Sequence, residues 1–271
     1  MFNYFGFGSN MSMLSLRAKG VDPLASRKAV LHGWRLRFNV QHFFRHEGGV
    51  GNIEYTGNSN DRVLGVLHAC PDEALALLDA AEAYGHGYDR IDIDVETFTD
   101  SHDLVSERVT ALAYIGMPSF INEDCLPSRR YLNILLDGAQ QAGIDPGHIE
   151  TLARQPVHQP EPYPAFKAPS GDYPCYDRES LAQEPLYTAL YGAVFDMSVA
   201  RPMHEYLKGF FGGKDMTLFH LQRLDSSNVT ETMDDIRKGH LNQAQLDYLN
   251  AYLNEYAREY RYVGRYSYDN E

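Results

Sequence analysis

One acidic residue of this sequence lies where a proton-transferring group would be useful. Glu82 comes near the end of the apolar helical pattern from Asp72 to Ala83, just before the glycine-rich turn at residues 85–87. A helix C-terminus carries partial negative charge, which destabilises a carboxylate anion there and suits it to exchanging a proton. The competing interpretation is a solvated surface glutamate, because carboxylates adapted to catalysis are a minority and concentrate in clefts.

A glycine-rich turn near the N-terminus is the second candidate. The segment FGFGSN, residues 5–10, follows a short apolar strand and precedes a run compatible with a helix. Glycine lets the backbone approach a ligand closely, so that successive N–H groups can converge on a carboxylate or an oxyanion. Taken alone, the turn is better explained as a strand-to-helix connection in which Ser9 or Asn10 caps the helix.

Two further candidate residues, Tyr88 and Arg90, follow Glu82 in the sequence. Tyr88 and Arg90 lie two apart at the start of a predicted strand, so their side chains share one face. We expect Tyr88 to line the site and Arg90 to form a structural ion pair. Asp79, three residues before Glu82, is expected to order the turn rather than to act in chemistry.

Other patterns point to packing or to turns. His42 and His46 have the spacing of helical zinc ligands but lack a third ligand, so we predict no metal site and no cofactor. The glycines at 48–51 indicate a hairpin with close backbone packing, and FFGGKD at 210–215 lacks the full phosphate-loop pattern. The tyrosines of the last helical segment share a face with leucines, which is typical of core or interface packing.

Composition excludes several classes of protein. The 271 residues include 24 basic and 37 acidic side chains, a net charge of −13 that opposes binding to nucleic acid. The three cysteines, Cys70, Cys125 and Cys175, suggest neither a disulfide framework nor a zinc site, which favours a reducing cytoplasm. No segment has the pattern of a signal peptide or the roughly 18 apolar residues of a spanning helix, so we expect no membrane partner.

The order of predicted elements favours an α+β fold in two parts. Residues 156–177 contain six prolines and are predicted to be a linker. It separates a first domain, residues 1–155, from a helix-rich extension at 178–271. Strand character recurs often enough in the first domain to predict a curled sheet or barrel; the segments are Asn3 to Phe7, Arg35 to Val40, Gly51 to Tyr55, Val63 to Ala69, Asp89 to Phe98 and Arg108 to Ile115. Apolar periodicity predicts helices at Asp72 to Ala83, Ser128 to Ala142 and Gln243 to Tyr260, and a strand at Tyr187 to Met197.

These segments together resemble the γ-glutamylcyclotransferase-like superfamily. YFGFGSN resembles its N-terminal Y-G-S-N turn, and LDAAEAYGHGYDR, residues 78–90, resembles its L-D-x-x-E motif followed by Tyr-x-Arg. Further segments stand in the expected order, namely AVLHGWRLRFN, GGVGNI with VLGVLHA, ALAYIG and PSRRYLNILLDGAQQAGI. The resemblance covers about residues 2–152 and does not reach the C-terminal third.

The resemblance implies a small mixed β-barrel flanked by helices, with a C-terminal α+β extension of unknown architecture. It also implies that Glu82 is the general acid/base of a cyclotransferase that releases 5-oxoproline from a small γ-glutamyl compound. Backbone amides around Phe7, Gly8, Ser9 and Asn10 would bind the glutamyl α-carboxylate or γ-carbonyl. Such a reaction needs no cofactor, because the α-amine of the substrate is itself the nucleophile.

Two functions therefore stay open at the level of sequence. The first is the cyclotransferase; the second is a domain that binds a γ-glutamyl or other ligand without turnover, with residues 178–271 acting as an interaction module. A retained Glu82 favours the enzyme, because a binding domain has no need of a carboxylate there. The sequence leaves open the γ-glutamyl compound used, the oligomeric state and the role of the extension.

Overall fold

The computed structural model describes residues 1–97 and 107–269. It divides into two compact units, one formed by residues 1–42 and 47–159 and the other by residues 43–46 and 160–271. The predicted strand from Asp89 to Phe98 corresponds to the strand Tyr88–Thr97, and Phe98 lies outside the described residues.

The first unit contains seven strands and four α-helices among its described residues. In chain order they are β1 (Phe2–Gly6), α1 (Met13–Arg17), β2 (Ala25–His32), β3 (Trp34–Gln41), β4 (Gly49–Tyr55), β5 (Arg62–Cys70), α2 (Ala74–Ala81), β6 (Tyr88–Thr97), β7 (Glu107–Gly116), α3 (Arg129–Gln141) and α4 (Pro146–Ala153). Short 3₁₀ segments lie at Ser9–Met11 and Pro118–Phe120. The predicted helices at Asp72 and Ser128 are thus present, shortened by a few residues at their ends.

Five of these strands close into a barrel. Their order is β1-β5-β2-β6-β7, and the parallel pairing of Tyr4 in β1 with Leu112 in β7 closes the ring, while the other pairs are antiparallel. Strands β3 and β4 form a separate antiparallel pair. The prediction of a small mixed barrel flanked by helices is confirmed.

Apolar side chains fill the barrel interior, and others pack the helices against its outer surface. The interior residues come from all five strands and include Phe5, Leu31, Leu67, Val95 and Ala113. On β5 the alternate residue Val66 faces outward and packs with α3, so this strand is apolar on both faces, as expected where a helix covers a sheet. A further cluster containing Tyr4, Leu16 and Leu78 joins α1 and α2 to the barrel wall.

The second unit is a five-stranded sheet with helices. Its elements are β8 (Cys175–Tyr176), α5 (Arg178–Ala182), β9 (Tyr187–Leu190), β10 (Ala193–Asp196), α6 (Glu205–Phe211), β11 (Lys214–Asp215), α7 (Thr217–Leu221), α8 (Met233–Lys238), α9 (Gln243–Glu259) and β12 (Arg261–Tyr266), in the sheet order β11-β9-β10-β12-β8. The single strand predicted from Tyr187 to Met197 is wrong. Tyr191 and Gly192 have φ angles of 42° and 84° and turn the chain back, which makes two strands of a hairpin.

Part of the proline-rich segment belongs to this second unit. The carbonyl of Pro164 accepts hydrogen bonds from Asn250 and Asn254 of α9, and the hydroxyl of Tyr163 donates to Glu255 at 2.6 Å. The N–H of Phe166 donates to the side-chain oxygen of Asn250 at 2.7 Å, so side chains of α9 act both as donors and as acceptors for this segment. Residues 163–166 are therefore held along α9 by hydrogen bonds to its side chains.

The core of the second unit includes a residue from the connection between β3 and β4. Phe44 is 2% exposed, and its ring centroid lies 5.2 Å from those of Tyr252 and Tyr256 on α9. Stacked and edge-to-face aromatic pairs of this kind add to the free energy gained by burial. Phe44 lies within the predicted first domain, residues 1–155, and no local sequence pattern indicates this role.

We predict that Phe44→Ala lowers the free energy of unfolding of the second unit by about 3–5 kcal/mol, the usual cost of removing a buried phenylalanine. Urea unfolding followed by hydrogen exchange of the α9 amides measures the effect. Val199→Ala removes an apolar side chain that is 57% exposed and should change the stability by no more than about 0.5 kcal/mol. Unchanged exchange in α9 of Phe44→Ala would show that Phe44 is not part of this core.

Candidate active site

Glu82 is the residue that ends α2. It occupies the C-cap position, with φ −90° and ψ 2°, and its side chain is 15% exposed. The next residue, Ala83, has a φ of 51°, and the N–H of Tyr84 donates to the carbonyl of Asp79 at 2.9 Å. This left-handed residue ends the helix at once, which fixes the direction in which the Glu82 side chain leaves it.

The two carboxylate oxygens of Glu82 have different surroundings. Oε1 accepts hydrogen bonds from Asn10 Nδ2 at 2.9 Å and from Lys19 Nζ at 2.9 Å. Oε2 accepts none from the described residues. One oxygen is therefore held in place, while the lone pairs of the other are available to a ligand.

Asn10 joins the N-terminal turn to this carboxylate. Its Nδ2 also contacts the hydroxyl of Tyr4 at 2.5 Å, and its Oδ1 accepts a hydrogen bond from the ammonium group of Lys19. The cap of α1 is Ser12, whose hydroxyl accepts from the N–H of Ser15, so neither Ser9 nor Asn10 caps that helix. Because Ser12 caps the helix, the Asn10 side chain is left to bind Glu82.

The backbone of the turn keeps two donors unused. The carbonyls of Gly8 and Ser9 accept from Met11 and Ser12 in the 3₁₀ segment, whereas the N–H groups of Gly8 and Asn10 donate to none of the described residues. Phe7 contributes backbone only, because its side chain packs in the barrel core. Unpaired N–H groups in a turn of this kind can donate hydrogen bonds to an anion or an oxyanion.

Tyr131 connects the turn to strand β4. Its hydroxyl accepts a hydrogen bond from the N–H of Gly51 at 2.9 Å. A Cβ at Gly8 or at Gly51 would lie 2.6 Å from that hydroxyl oxygen, so both positions need glycine for this close approach. The predicted meaning of the glycines near residue 50, close backbone packing, thus holds at Gly51.

Tyr88 binds Gly51 from its carbonyl side. Its hydroxyl donates to the carbonyl of Gly51 at 2.7 Å, so Gly51 is bound through its N–H by Tyr131 and through its C=O by Tyr88. Burial, together with the nearby Tyr131 and Glu82, raises the pKa of Tyr88 well above its ordinary value. Burial also raises the pKa of Tyr131 to about 12, against the opposing effect of the hydrogen bond from Gly51. Both hydroxyls therefore stay neutral beside the carboxylate at physiological pH.

Arg90 and Asp79 form a structural cluster. Arg90 Nη1 lies 3.1 Å from Asp79 Oδ2, and the guanidinium stacks 4.1 Å from the ring centroid of Tyr84. The other oxygen of Asp79 accepts from the hydroxyl of Tyr114 at 2.7 Å. The expected ion pair of Arg90 is present, and Asp79 links α2 to strands β6 and β7.

His68 supports the turn from β5. It is fully buried; its Nε2 lies 2.9 Å from the carbonyl oxygen of Asn10, and its Nδ1 lies 2.8 Å from the hydroxyl of Ser26. A carbonyl only accepts, so Nε2 carries the proton and Nδ1 accepts from Ser26. Burial lowers the pKa of His68 to about 4, so the ring is neutral when it holds Asn10 in place.

Sequence reasoning missed several residues of this site. Lys19, Tyr4 and Tyr131 carry no motif of their own; Lys19 follows a short helix like any surface lysine, and Tyr131 lies in the first turn of α3 among leucines. Their roles depend on the barrel bringing residues 4–19 beside residue 82. Only the cap at Ser128, which fixes where α3 begins, could have indicated where Tyr131 points.

Among residues 1–97 and 107–269, no cluster of three or more His, Cys, Asp or Glu side chains could hold an ion. In the same part of the chain, each helix is too short or too polar to span a bilayer.

We predict that His68 makes the stability of the protein depend on pH. Its pKa is about 4 when folded and about 6.5 when unfolded, so the unfolded state takes up a proton first as the pH falls. The free energy of unfolding of the wild type should fall by up to about 3 kcal/mol relative to His68→Gln between pH 6.5 and pH 4. Urea unfolding of both proteins across this range measures the difference, because the other titrating groups are common to both. A difference that stays constant with pH would contradict the buried neutral state.

Comparison with known proteins supports the resemblance over part of the chain. Residues 62–152 match the profile of the AIG2-like family. No curated protein matches the sequence.

Solved structures similar to the chain share little sequence with it. An uncharacterized protein from Homo sapiens is 22% identical, with a TM-score of 0.48 over 59% of this chain and 90% of that chain. A γ-glutamyl cyclotransferase is 21% identical, with a TM-score of 0.48 over 58% of this chain and 89% of that one. A γ-glutamyl cyclotransferase specific to glutathione from yeast is 13% identical, with a TM-score of 0.44 over 56% of this chain and 93% of that one. The region that matches the AIG2-like family, residues 62–152, lies within the first unit of this chain.

Proposed function

We propose that the first unit is a cyclotransferase that converts a γ-glutamyl amine, amino acid or peptide to 5-oxoproline and a free amine. One observation carries the proposal: Glu82 has one oxygen fixed by Asn10 and Lys19 and the other open beside the N-terminal turn. A general acid/base needs this combination of fixed position and free lone pair. The AIG2-like region, which includes Glu82 and Tyr88, supports the same assignment.

Glu82 relays protons from the α-nitrogen of the substrate to the leaving nitrogen in this reaction. Its Oε2 takes a proton from the α-ammonium group of the substrate, and the freed amine attacks the γ-carbonyl carbon to close a five-membered ring. When the bond to the leaving nitrogen breaks, the protonated Glu82 gives its proton to that nitrogen. The second proton of the ring nitrogen then passes to the departing amine, which leaves as an ammonium ion. The nucleophile is intramolecular, so no protein nucleophile is required.

The N-terminal turn supplies the other requirement, stabilisation of negative charge. The γ-carbonyl oxygen becomes an oxyanion after the attack, and the unused N–H groups of Gly8 and Asn10 are suitable donors for it or for the α-carboxylate. Ser9 adjoins them in the same turn. Tyr88 and Tyr131 keep strand β4 against this turn, and their neutral hydroxyls do not compete with Glu82 for the proton.

The requirements of the proposed reaction are compatible with the free cysteines of the chain. The reaction uses a small-molecule substrate and requires no cofactor. Cys70, Cys125 and Cys175 are free thiols, which fits a reducing compartment such as the cytoplasm.

We predict that the purified protein releases 5-oxoproline from at least one member of a panel of γ-glutamyl amines, γ-glutamyl dipeptides, γ-glutamyl-ε-lysine and glutathione. Glu82→Gln keeps the shape of the side chain but cannot accept the proton, so its rate should fall by about 10²–10⁴-fold. Chromatographic detection of 5-oxoproline measures both proteins.

Glu150→Gln is the matched control, because that glutamate lies on α4 with its side chain 70% exposed. It should retain the wild-type rate. Equal turnover by Glu82→Gln would exclude the mechanism. Tight binding of a γ-glutamyl compound with no release of 5-oxoproline across the panel would favour the binding function instead.

A further inference from the structure

Lys19 has surroundings unusual for a lysine. It follows α1 in a turn that its own N–H closes by donating to the carbonyl of Leu16 at 2.9 Å, and its side chain is only 12% exposed. Its ammonium group lies 2.9 Å from Glu82 Oε1, and its only other partner among the described residues is Asn10 Oδ1. Lysines are rarely buried to this extent without a paired charge, and here the paired charge is Glu82.

Lys19 fixes the orientation of both groups that define the site. The ammonium only donates, so it binds the oxygen of the Asn10 amide and turns the Nδ2 of that amide toward Glu82 and Tyr4. It also binds Glu82 Oε1 directly, which leaves Oε2 as the oxygen open to a ligand. The orientation of the amide and that of the carboxylate therefore depend on one cation.

We propose that Lys19 is a positioning residue for Glu82. Its ammonium group stays bound to Oε1 throughout the reaction cycle, so that Oε2 is the oxygen that accepts and releases the proton. This inference rests on the proposed cyclotransferase function. Glu82 alternates between carboxylate and carboxylic acid, and donors fixed on Oε1 remain in place in both states. The site then needs no rearrangement when the proton moves, which is the advantage of preorganised donors.

Another role for Lys19 is conceivable from its charge alone. It could leave Glu82 when substrate arrives and bind the α-carboxylate of the glutamyl group. The two roles differ in which kinetic constant they control, because a group that binds substrate acts on KM while a group that orients the acid/base acts on kcat.

Steady-state kinetics of three lysine variants test the inference on the best substrate of the panel. Lys19→Met keeps the length of the side chain without its charge, and we expect kcat to fall by about 10–100-fold with KM within about threefold of the wild type. Lys19→Arg restores the cation and should recover most of kcat. Lys28→Met is the control, since Lys28 on β2 forms no ion pair with any described residue, and it should match the wild type. Circular dichroism and thermal unfolding check that each variant folds.

The double variant Lys19→Met with Glu82→Gln shows whether Lys19 acts through Glu82. It should be no slower than Glu82→Gln alone, because the lysine then has no acid/base to position. A raised KM with unchanged kcat in Lys19→Met would overturn the inference in favour of substrate binding. Wild-type kinetics in Lys19→Met would overturn it outright while leaving the cyclotransferase proposal intact, whereas absence of 5-oxoproline with wild-type protein would remove the proposed function and this inference with it.

Discussion

A carboxylate at the C-terminal end of a helix faces the unpaired carbonyls of that helix, so it needs donors from elsewhere in the fold. In this protein those donors are Asn10 and Lys19, which lie 72 and 63 positions away from Glu82 in the chain. The ammonium offsets the charge of the carboxylate, and the amide fixes its direction. The geometry of the candidate site follows from this one contact between the N-terminal turn and the end of α2.

The barrel brings these distant segments together. Strand β1 pairs with β5 on one side and β7 on the other, so the turn that follows β1 emerges beside both strands. His68 on β5 binds the carbonyl of Asn10, and Tyr131 on α3 holds Gly51 against Gly8. These contacts are buried, and they fix the backbone of the turn before any ligand is present, as a site of defined geometry requires.

Local signals in the sequence located the elements well where the chain supplies caps or apolar periodicity. Ser128 and Asn242 cap α3 and α9, and each helix begins at the residue after its cap. Glu82 lies at the helix end that its motif indicates. The strand predicted across Tyr191 and Gly192 failed because a tyrosine with positive φ is an uncommon turn residue that propensity does not anticipate.

Long-range contacts account for what the sequence could not indicate. Lys19 becomes part of the site only because the barrel closes, and nothing in the run from Met13 to Gly20 distinguishes it from a solvated lysine. Phe44 likewise belongs to the core of the second unit, although the strands before and after it, β3 and β4, belong to the first. Both roles arise from tertiary packing, which overrides local pattern.

The central claim is that Glu82 Oε2 exchanges the proton of the reacting nitrogen while the N-terminal turn holds the carbonyl oxygen. A crystal structure with bound 5-oxoproline, the proposed product, tests it most directly. We predict that the ring nitrogen lies within hydrogen-bond reach of Oε2, about 2.6–3.2 Å, with the ring carbonyl facing the N–H groups of Gly8 and Asn10. Product bound with its nitrogen directed away from Glu82, or bound outside this turn, would contradict it.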